Sequence, residues 1–178
     1  NEFNRKRFIA TKQHELIPHL WKVIMISYWS ARDALSPILR HQDLTFMTPT
    51  DRTEFLTSSN LPAWLITQIG ESSNPNHEYG NYLLKSKLQA ALNASVRAFR
   101  LLHKIAVIIP SDLCLQYEGF LKLIRGALDE KYSVLSLKLT GVELTKKLED
   151  FEHKHEAIHE TLTMATRNYL LSADTNRE

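Results

Sequence analysis

Hydrophobic positions recur along this chain at alternating steps of three and four residues, the spacing that places side chains on one face of a helix. The pattern is sustained over three long segments, residues 18–38, 81–109 and 141–171. It is clearest in the middle segment, where a polar and basic side lies opposite the apolar stripe. The stripe consists of Leu88, Leu92, Ser95, Phe99, Leu102, Ala106 and Ile109. We expect these three helices to form the core.

The first of these segments is apolar nearly all round over its middle, which predicts a helix at the centre of a bundle. Pro18 fits the first turn of that helix, where the missing N–H costs nothing. Pro37 should end or kink it near Ser36. The opening stretch, residues 1–17, is basic and is expected to be loosely ordered, as are residues 172–178 at the other end.

Shorter elements connect the long ones. Residues 41–60 have the composition of a connector, and Asn60, Pro62 and Gly70 are suited to the start, first turn and end of a short helix. Residues 71–80 give the strongest loop signal in the chain because they are rich in Ser, Asn, Pro and Gly.

A further helix is predicted after Pro110, with Ser111 as its cap. Residues 132–139 read equally well as a short strand or as part of a helix, because short apolar runs do not discriminate. Thr140 and Glu143 have the spacing of a capping box that opens the last long helix.

The expected fold is therefore all-α, a single bundle of about five or six amphipathic helices in one domain covering residues 1–178. Five Gly and six Pro in 178 residues also favour helices over a sheet with many turns. The single cysteine, Cys114, cannot form an intrachain disulfide, which indicates a reducing compartment. No apolar run reaches the length of a membrane span and no secretory signal is visible, so we expect a cytoplasmic protein without membrane contact. Because the first residue is Asn, we expect a chain trimmed or excised from a longer one.

Charge is distributed unevenly although the net charge is only +2. The 33 residues from Tyr79 to Ser111 contain no Asp or Glu and five Lys or Arg. Two explanations are open. The cations could pair with an acidic edge formed by Glu152, Glu156 and Glu160 on the last helix, or they could meet phosphates.

The leading hypothesis is a non-catalytic subunit that binds nucleic-acid backbone, DNA or RNA, irrespective of sequence, within a larger assembly of other subunits or copies of itself. The primary contacts would be Arg97, Arg100 and Lys104. Secondary contacts would be Lys85, Lys87, Arg5, Lys6 and Arg7. This hypothesis requires no catalytic residue, metal or cofactor. A plain protein–protein interaction module with basic and acidic faces is an alternative.

An enzyme is the other alternative, and two motifs raise it. His155, Glu156 and His159 match H-E-x-x-H, which resembles the zinc site of zincin metalloproteases. The metzincin continuation would need Gly and His where this chain has Leu162 and Ala165. A structural metal site could instead use Glu152 with the two histidines, and a buried histidine in an apolar stripe explains the same spacing.

The second motif is Arg97 with His103, which resembles the R-x₄₋₆-H signature of HEPN ribonucleases, themselves helical bundles. That resemblance implies RNA cleavage across a dimer interface. The family commonly has a polar residue after the Arg, and here Ala98 follows.

In size, helical class and the acid-free stretch NYLLKSKLQAALNASVRAFRLLHK, the chain resembles the small subunit of CRISPR effector complexes. The resemblance implies copies stacked along a complex, with scattered Lys and Arg contacting nucleic-acid backbone.

The binding hypothesis makes a structural prediction. Arg97, Arg100 and Lys104 should be exposed and without Asp or Glu partners, whereas ion pairs to residues 149–160 would assign the charge pattern to the fold itself.

Overall fold

The computed structural model describes residues 2–36, 41–136 and 146–175, and this part of the chain contains six α-helices and no strand. The prediction of an all-α fold with about six helices is confirmed. The helices are α1 Glu2–Leu35, α2 Pro49–Ser58, α3 Ala63–Glu71, α4 Pro75–Ile105, α5 Ser111–Ser136 and α6 Lys146–Thr175.

The chain packs as two compact units. The larger unit consists of Asn1–Leu35 and Leu88–Glu178, and the smaller unit is Ser36–Lys87. Whether they belong to one domain, as expected from the sequence, stays a prediction.

In the larger unit, α5 and α6 form an antiparallel hairpin. The backbone N–H of Leu148 donates to the Glu130 carboxylate at 2.7 Å near one end. Further along, the hydroxyls of Tyr117 and Thr166 are 2.7 Å apart. Since the Thr166 hydroxyl donates to the Leu162 carbonyl, the Tyr117 hydroxyl is the donor to Thr166. Burial raises the pKa of Tyr117 to about 12, so this proton stays in place at any physiological pH.

Helix α1 packs on the hairpin and also lies beside α4. The Gln13 side-chain amide donates to the Ile108 carbonyl, while Val23 and Ile26 lie next to Ala94 and Leu101. Residue numbers that rise along α1 therefore fall along α4, so the two helices are antiparallel. The predicted α4 stripe is buried at Leu88, Leu92, Ser95, Leu102 and Ile109.

The smaller unit has a core of its own, made of Leu44, Leu56, Leu65, Ile69 and Tyr79. Helix α2 begins where the Thr48 hydroxyl accepts the Asp51 N–H at 3.2 Å, a standard N-cap contact. Leu44 is fixed by its backbone N–H, which donates to the side-chain oxygen of Asn76 on α4.

The start of the first helix differs from the prediction. Helix α1 begins at Glu2, so Pro18 lies inside it and is exposed, and residues 2–17, which we expected to be loosely ordered, are helical. Contacts with distant segments explain the difference. The Gln13 side chain reaches the Ile108 carbonyl and accepts from the Tyr169 hydroxyl at 2.7 Å, and Ile17 is fully buried. Tertiary packing thus outweighs the backbone hydrogen bond that proline removes.

Two loop predictions were also wrong. Residues 41–60 contain α2, and α4 begins at Pro75, inside the segment that we expected to be a loop. In both segments the sequence contains a residue that can cap a helix, followed directly by proline, at Thr48 and at Asn74. Asn74 accepts the His77 N–H at 3.2 Å and precedes a proline in the first turn, which is a helix start. Composition alone hides this, because capping residues and loop residues are the same types.

The other boundaries follow the sequence more closely. Helix α1 ends at Leu35, close to the expected Ser36. Helix α3 begins at Ala63 with Pro62 as its cap, so the expectation that Asn60 starts this helix and Pro62 lies in its first turn was wrong by two residues. Helix α4 ends at Ile105, where the Ile108 and Ile109 N–H groups both turn back to its carbonyl. Helix α5 includes residues 132–136, while residues 137–139 and the proposed capping box at Thr140 and Glu143 lie outside the described residues. Pro37 does as well. The described part of α6 extends to Thr175, so residues 172–175, which we expected to be loosely ordered, are helical.

A buried serine supplies a test of this packing. The Ser95 side chain is fully buried, and its hydroxyl has no hydrogen-bond partner within the described chain. Ser95→Ala should therefore raise the free energy of unfolding, by up to about 1 kcal/mol, because an unsatisfied polar group is removed and Ala is the better helix former. Urea denaturation measures the change.

Thr166→Val is the matched control, since that buried hydroxyl is bonded on both sides. It should lower the free energy of unfolding by about 1–3 kcal/mol because the Tyr117 hydroxyl loses its acceptor. Equal losses in the two variants would show that the Ser95 hydroxyl is satisfied in the folded protein.

Candidate functional site

Three cations project from one side of α4. Arg97, Arg100 and Lys104 are all exposed, and none has an Asp or Glu partner among the described residues. Steps of three and four residues place them within a sector of about 60° along two helical turns. We call these three residues the cationic ridge. Their exposure and lack of partners agree with the structural prediction made from the sequence.

The acidic edge of α6 does not neutralise the ridge. Glu152, Glu156 and Glu160 are exposed, and Glu156 pairs instead with Arg32 of α1 at 3.3 Å. That guanidinium also lies over the Trp29 ring, 5.4 Å from its centroid. Glu156 of α6 therefore pairs with a cation of α1 and not with the ridge on α4.

The secondary contacts proposed from the sequence belong to other segments than the ridge. Lys85 is exposed, but it belongs to the smaller unit together with Lys87. Arg5 and Arg7 are exposed in the first turns of α1, more than three turns before the part that lies beside Arg97. Lys6 is in the same helix, and its side chain lies outside the described residues.

A groove beside the ridge was not predicted. It lies between α1 and α4, has a volume of about 310 Å³, and is lined by Val23, Ile26, Ala94, Arg97 and Leu101. Its walls are aliphatic apart from the Arg97 side chain, and Ile26 remains 50% exposed there. The ridge thus borders an apolar concavity on one of its sides.

The α1 side of this groove is also free of acid. Residues 16–32 contain no Asp or Glu, and Lys22 is exposed one turn before Ile26. The first carboxylate beyond them on α1 is Asp33, about two turns past Ile26. Sequence reasoning missed Lys22 because it treated α1 as a central buried helix. The acid-free run in α1 was the available signal.

Arg97 and His103 do not form one site. Six residues apart on a continuous helix, they point about 120° away from each other. The His103 ring lies against Phe99, with centroids 6.0 Å apart, and its positive form would interact with Glu118 of α5. Nothing in the described residues brings the two groups of the HEPN-like motif together within this chain.

The two histidines of the H-E-x-x-H motif face an aromatic cluster. The His159 ring stacks on Tyr28 at 4.8 Å between centroids, and His155 stacks on Phe151 at 4.7 Å. The Nδ1 atom of His155 is 3.0 Å from the Tyr28 hydroxyl, which is a hydrogen bond. Within the described residues, no three His, Cys, Asp or Glu side chains are grouped so as to hold a metal ion. His155 thus has the hydrogen-bond partner expected of a buried histidine, but both rings are only partly buried, and Glu152 offers no third metal ligand.

A larger concavity, about 670 Å³, lies between α5 and α6. Its lining includes Gly119, Leu123, Ala157, Ile158 and Thr161 and no charged side chain. It therefore cannot hold a phosphate by charge.

Known proteins give no match to this arrangement: no family model, curated protein or solved structure matches the chain. Among the helices of the described residues, none is both long enough and apolar enough to cross a membrane.

The His155 contact predicts a pH dependence of stability. Burial is the main cause that lowers the pKa of His155 below its usual 6.5. The carboxylates of Glu156 and Glu152 raise this pKa, whereas Arg32 and His159 lower it further. The unfolded chain therefore binds this proton more readily than the folded one. Neutral His155 contributes its full share to the free energy of unfolding above about pH 6.5. That share is lost as the pH falls through the pKa of the folded state, so acid should weaken the fold.

Urea denaturation of His155→Gln between about pH 5 and pH 7.5 measures this effect. The variant should lose part of the decline in stability that the parent protein shows on acidification. His153→Gln is the matched control, since His153 is exposed on the same helix. If both variants decline as steeply as the parent, His155 is not responsible for the acid sensitivity.

Proposed function

We propose that the protein binds the sugar-phosphate backbone of nucleic acid through the cationic ridge, as a non-catalytic subunit of a larger assembly. One observation carries the proposal: Arg97, Arg100 and Lys104 are exposed, adjacent and without a carboxylate partner among the described residues. Clustered unpaired cations on a helix raise the local potential and attract a polyanion.

Three cations on α5 and α6 contrast with the ridge. Lys122, Arg125 and Lys154 each pair with a carboxylate four residues away, at 2.7, 2.8 and 2.6 Å. Such pairs add little stability, but they cancel charge locally. The ridge lies in a stretch of 33 residues that supplies no acid for pairing of this kind. Its charge is therefore available to a partner.

Three phosphate contacts form a small footprint for autonomous binding. Proteins that bind tightly at physiological salt commonly make about 6–10 such contacts. Binding at moderate strength therefore suits a subunit whose neighbours, or further copies, add contacts along the same strand. The resemblance to the small subunit of CRISPR effector complexes agrees with this arrangement and stays a prediction.

Neutralising the ridge tests the proposal. The triple variant Arg97→Gln, Arg100→Gln, Lys104→Gln should bind a labelled DNA or RNA of mixed sequence more weakly at low salt in fluorescence anisotropy titrations. The plot of log affinity against log salt should become shallower by about 2–3 units, because about 0.7–0.9 counterions are released per phosphate contact. Strands of different sequence should be affected equally, since backbone contacts read no bases.

The matched control neutralises the same number of cations outside the ridge, with Lys122→Gln, Arg125→Gln and Lys154→Gln. If this control lowers affinity and salt slope as much as the ridge variant does, net charge alone drives binding. Absence of any binding by the parent protein at low salt would contradict a nucleic-acid function for the ridge on its own.

A further inference from the structure

The groove between α1 and α4 has apolar walls and a positively charged border. Val23, Ile26, Ala94 and Leu101 supply aliphatic walls, and the Arg97 side chain supplies a charged border. Its volume of about 310 Å³ is at the lower end of pockets that bind small organic groups, about 300–1,000 Å³. A fitting ligand is flat or compact, apolar on its faces, and joined to an anion.

An unpaired nucleobase in a strand meets this description. Its faces are apolar enough to leave water for an aliphatic wall, and arginine guanidinium planes stack on bases in many complexes. Its phosphate is attached within the same nucleotide, so Arg97 can serve both the base and the backbone. In a duplex the bases are stacked inside and cannot enter a lateral groove.

The charges outside the groove favour a polymer over a small amphiphile. Arg100 and Lys104 continue the ridge away from the groove, and Lys22 is exposed on α1. Residues 16–32 of α1 and residues 79–105 of α4 contain no acid. A fatty acid has one carboxylate and would use only the cation at the border. A nucleic-acid strand has a phosphate at each nucleotide and can therefore contact several of these cations at once.

We infer that the groove between α1 and α4 accepts one unpaired base of a single strand whose phosphates lie along the cationic ridge. The protein therefore binds single-stranded nucleic acid in preference to duplex. This inference rests on the proposed backbone binding and adds to it the form of the nucleic acid that is bound.

The test compares three labelled probes by fluorescence anisotropy at low salt: a single strand of about 16 nucleotides, its abasic equivalent, and the matching duplex. The abasic strand keeps the phosphates and lacks the bases. The full chain should bind the normal strand about tenfold more tightly than the abasic strand, within the range that one stacked base contributes. Duplex binding should also be weaker than binding of the normal strand.

Ile26→Ser removes part of the apolar wall without changing charge, at a side chain that is already half exposed. It should lower affinity for the normal strand to the level of the abasic strand and leave abasic binding unchanged. Val107→Ser is the matched control, because Val107 is an apolar side chain 92% exposed in the same acid-free stretch and does not line the groove. Circular dichroism with thermal melting establishes that both variants are folded.

The outcomes separate the two proposals. Equal affinity for normal and abasic strands, with both sensitive to loss of the ridge, overturns the base-binding groove and retains backbone binding. Absence of binding to all three probes overturns both. Binding of a medium-chain fatty acid that is lost in Ile26→Ser, with no preference among the nucleic acids, assigns the groove to an amphiphile and overturns the inference.

Discussion

The middle of helix α1, residues 20–31, has to bury its apolar side chains against neighbouring helices, and the arrangement of the larger unit depends on that requirement. Tyr28, which is 1% exposed, faces α5 and α6 through Phe120, His155 and His159. Another side of the helix, containing Val23 and Ile26, lies beside α4. Exposure of Leu20, Ile24 and Tyr28 would carry a large free-energy cost, so neighbouring helices are held against this segment on more than one side. The groove forms where α1 and α4 meet without complete closure.

The Tyr28 contacts also give the two motif histidines a structural explanation. His155 and His159 lie one turn apart on α6, and both rings are within contact distance of the same tyrosine. A metal site needs several ligands that converge on one point, whereas these rings are spread over an aromatic surface. The motif spacing is a property of any two residues on one helix face. What distinguishes a metal site is the third ligand, which comes from elsewhere in the fold.

The sequence correctly predicted which residues are buried where burial depends only on the face of a single helix. In α6, Leu148, Phe151 and Leu162 are buried at helical spacing, and in the α4 stripe Leu88, Leu92, Ser95 and Leu102 follow the same rule. The ridge was found for the same reason, since Arg97, Arg100 and Lys104 fall opposite that stripe. Prediction failed at Pro18 because contacts with distant segments determine where α1 begins. It failed at Asn74 because the residue types that cap a helix are also those found in loops. The groove could not be predicted because its lining depends on the register between α1 and α4.

The lysines and arginines of this protein differ in whether a carboxylate lies close enough to pair with them. On α5 and α6, Lys122, Arg125 and Lys154 are each paired with a carboxylate four residues away, and these exposed pairs contribute little to stability. On α4 the same helical geometry is available, but the acid-free sequence provides no partner. The ridge cations therefore repel one another weakly in the folded state, and the fold does not need them. This uncancelled charge is the feature on which our proposal of a negatively charged partner rests.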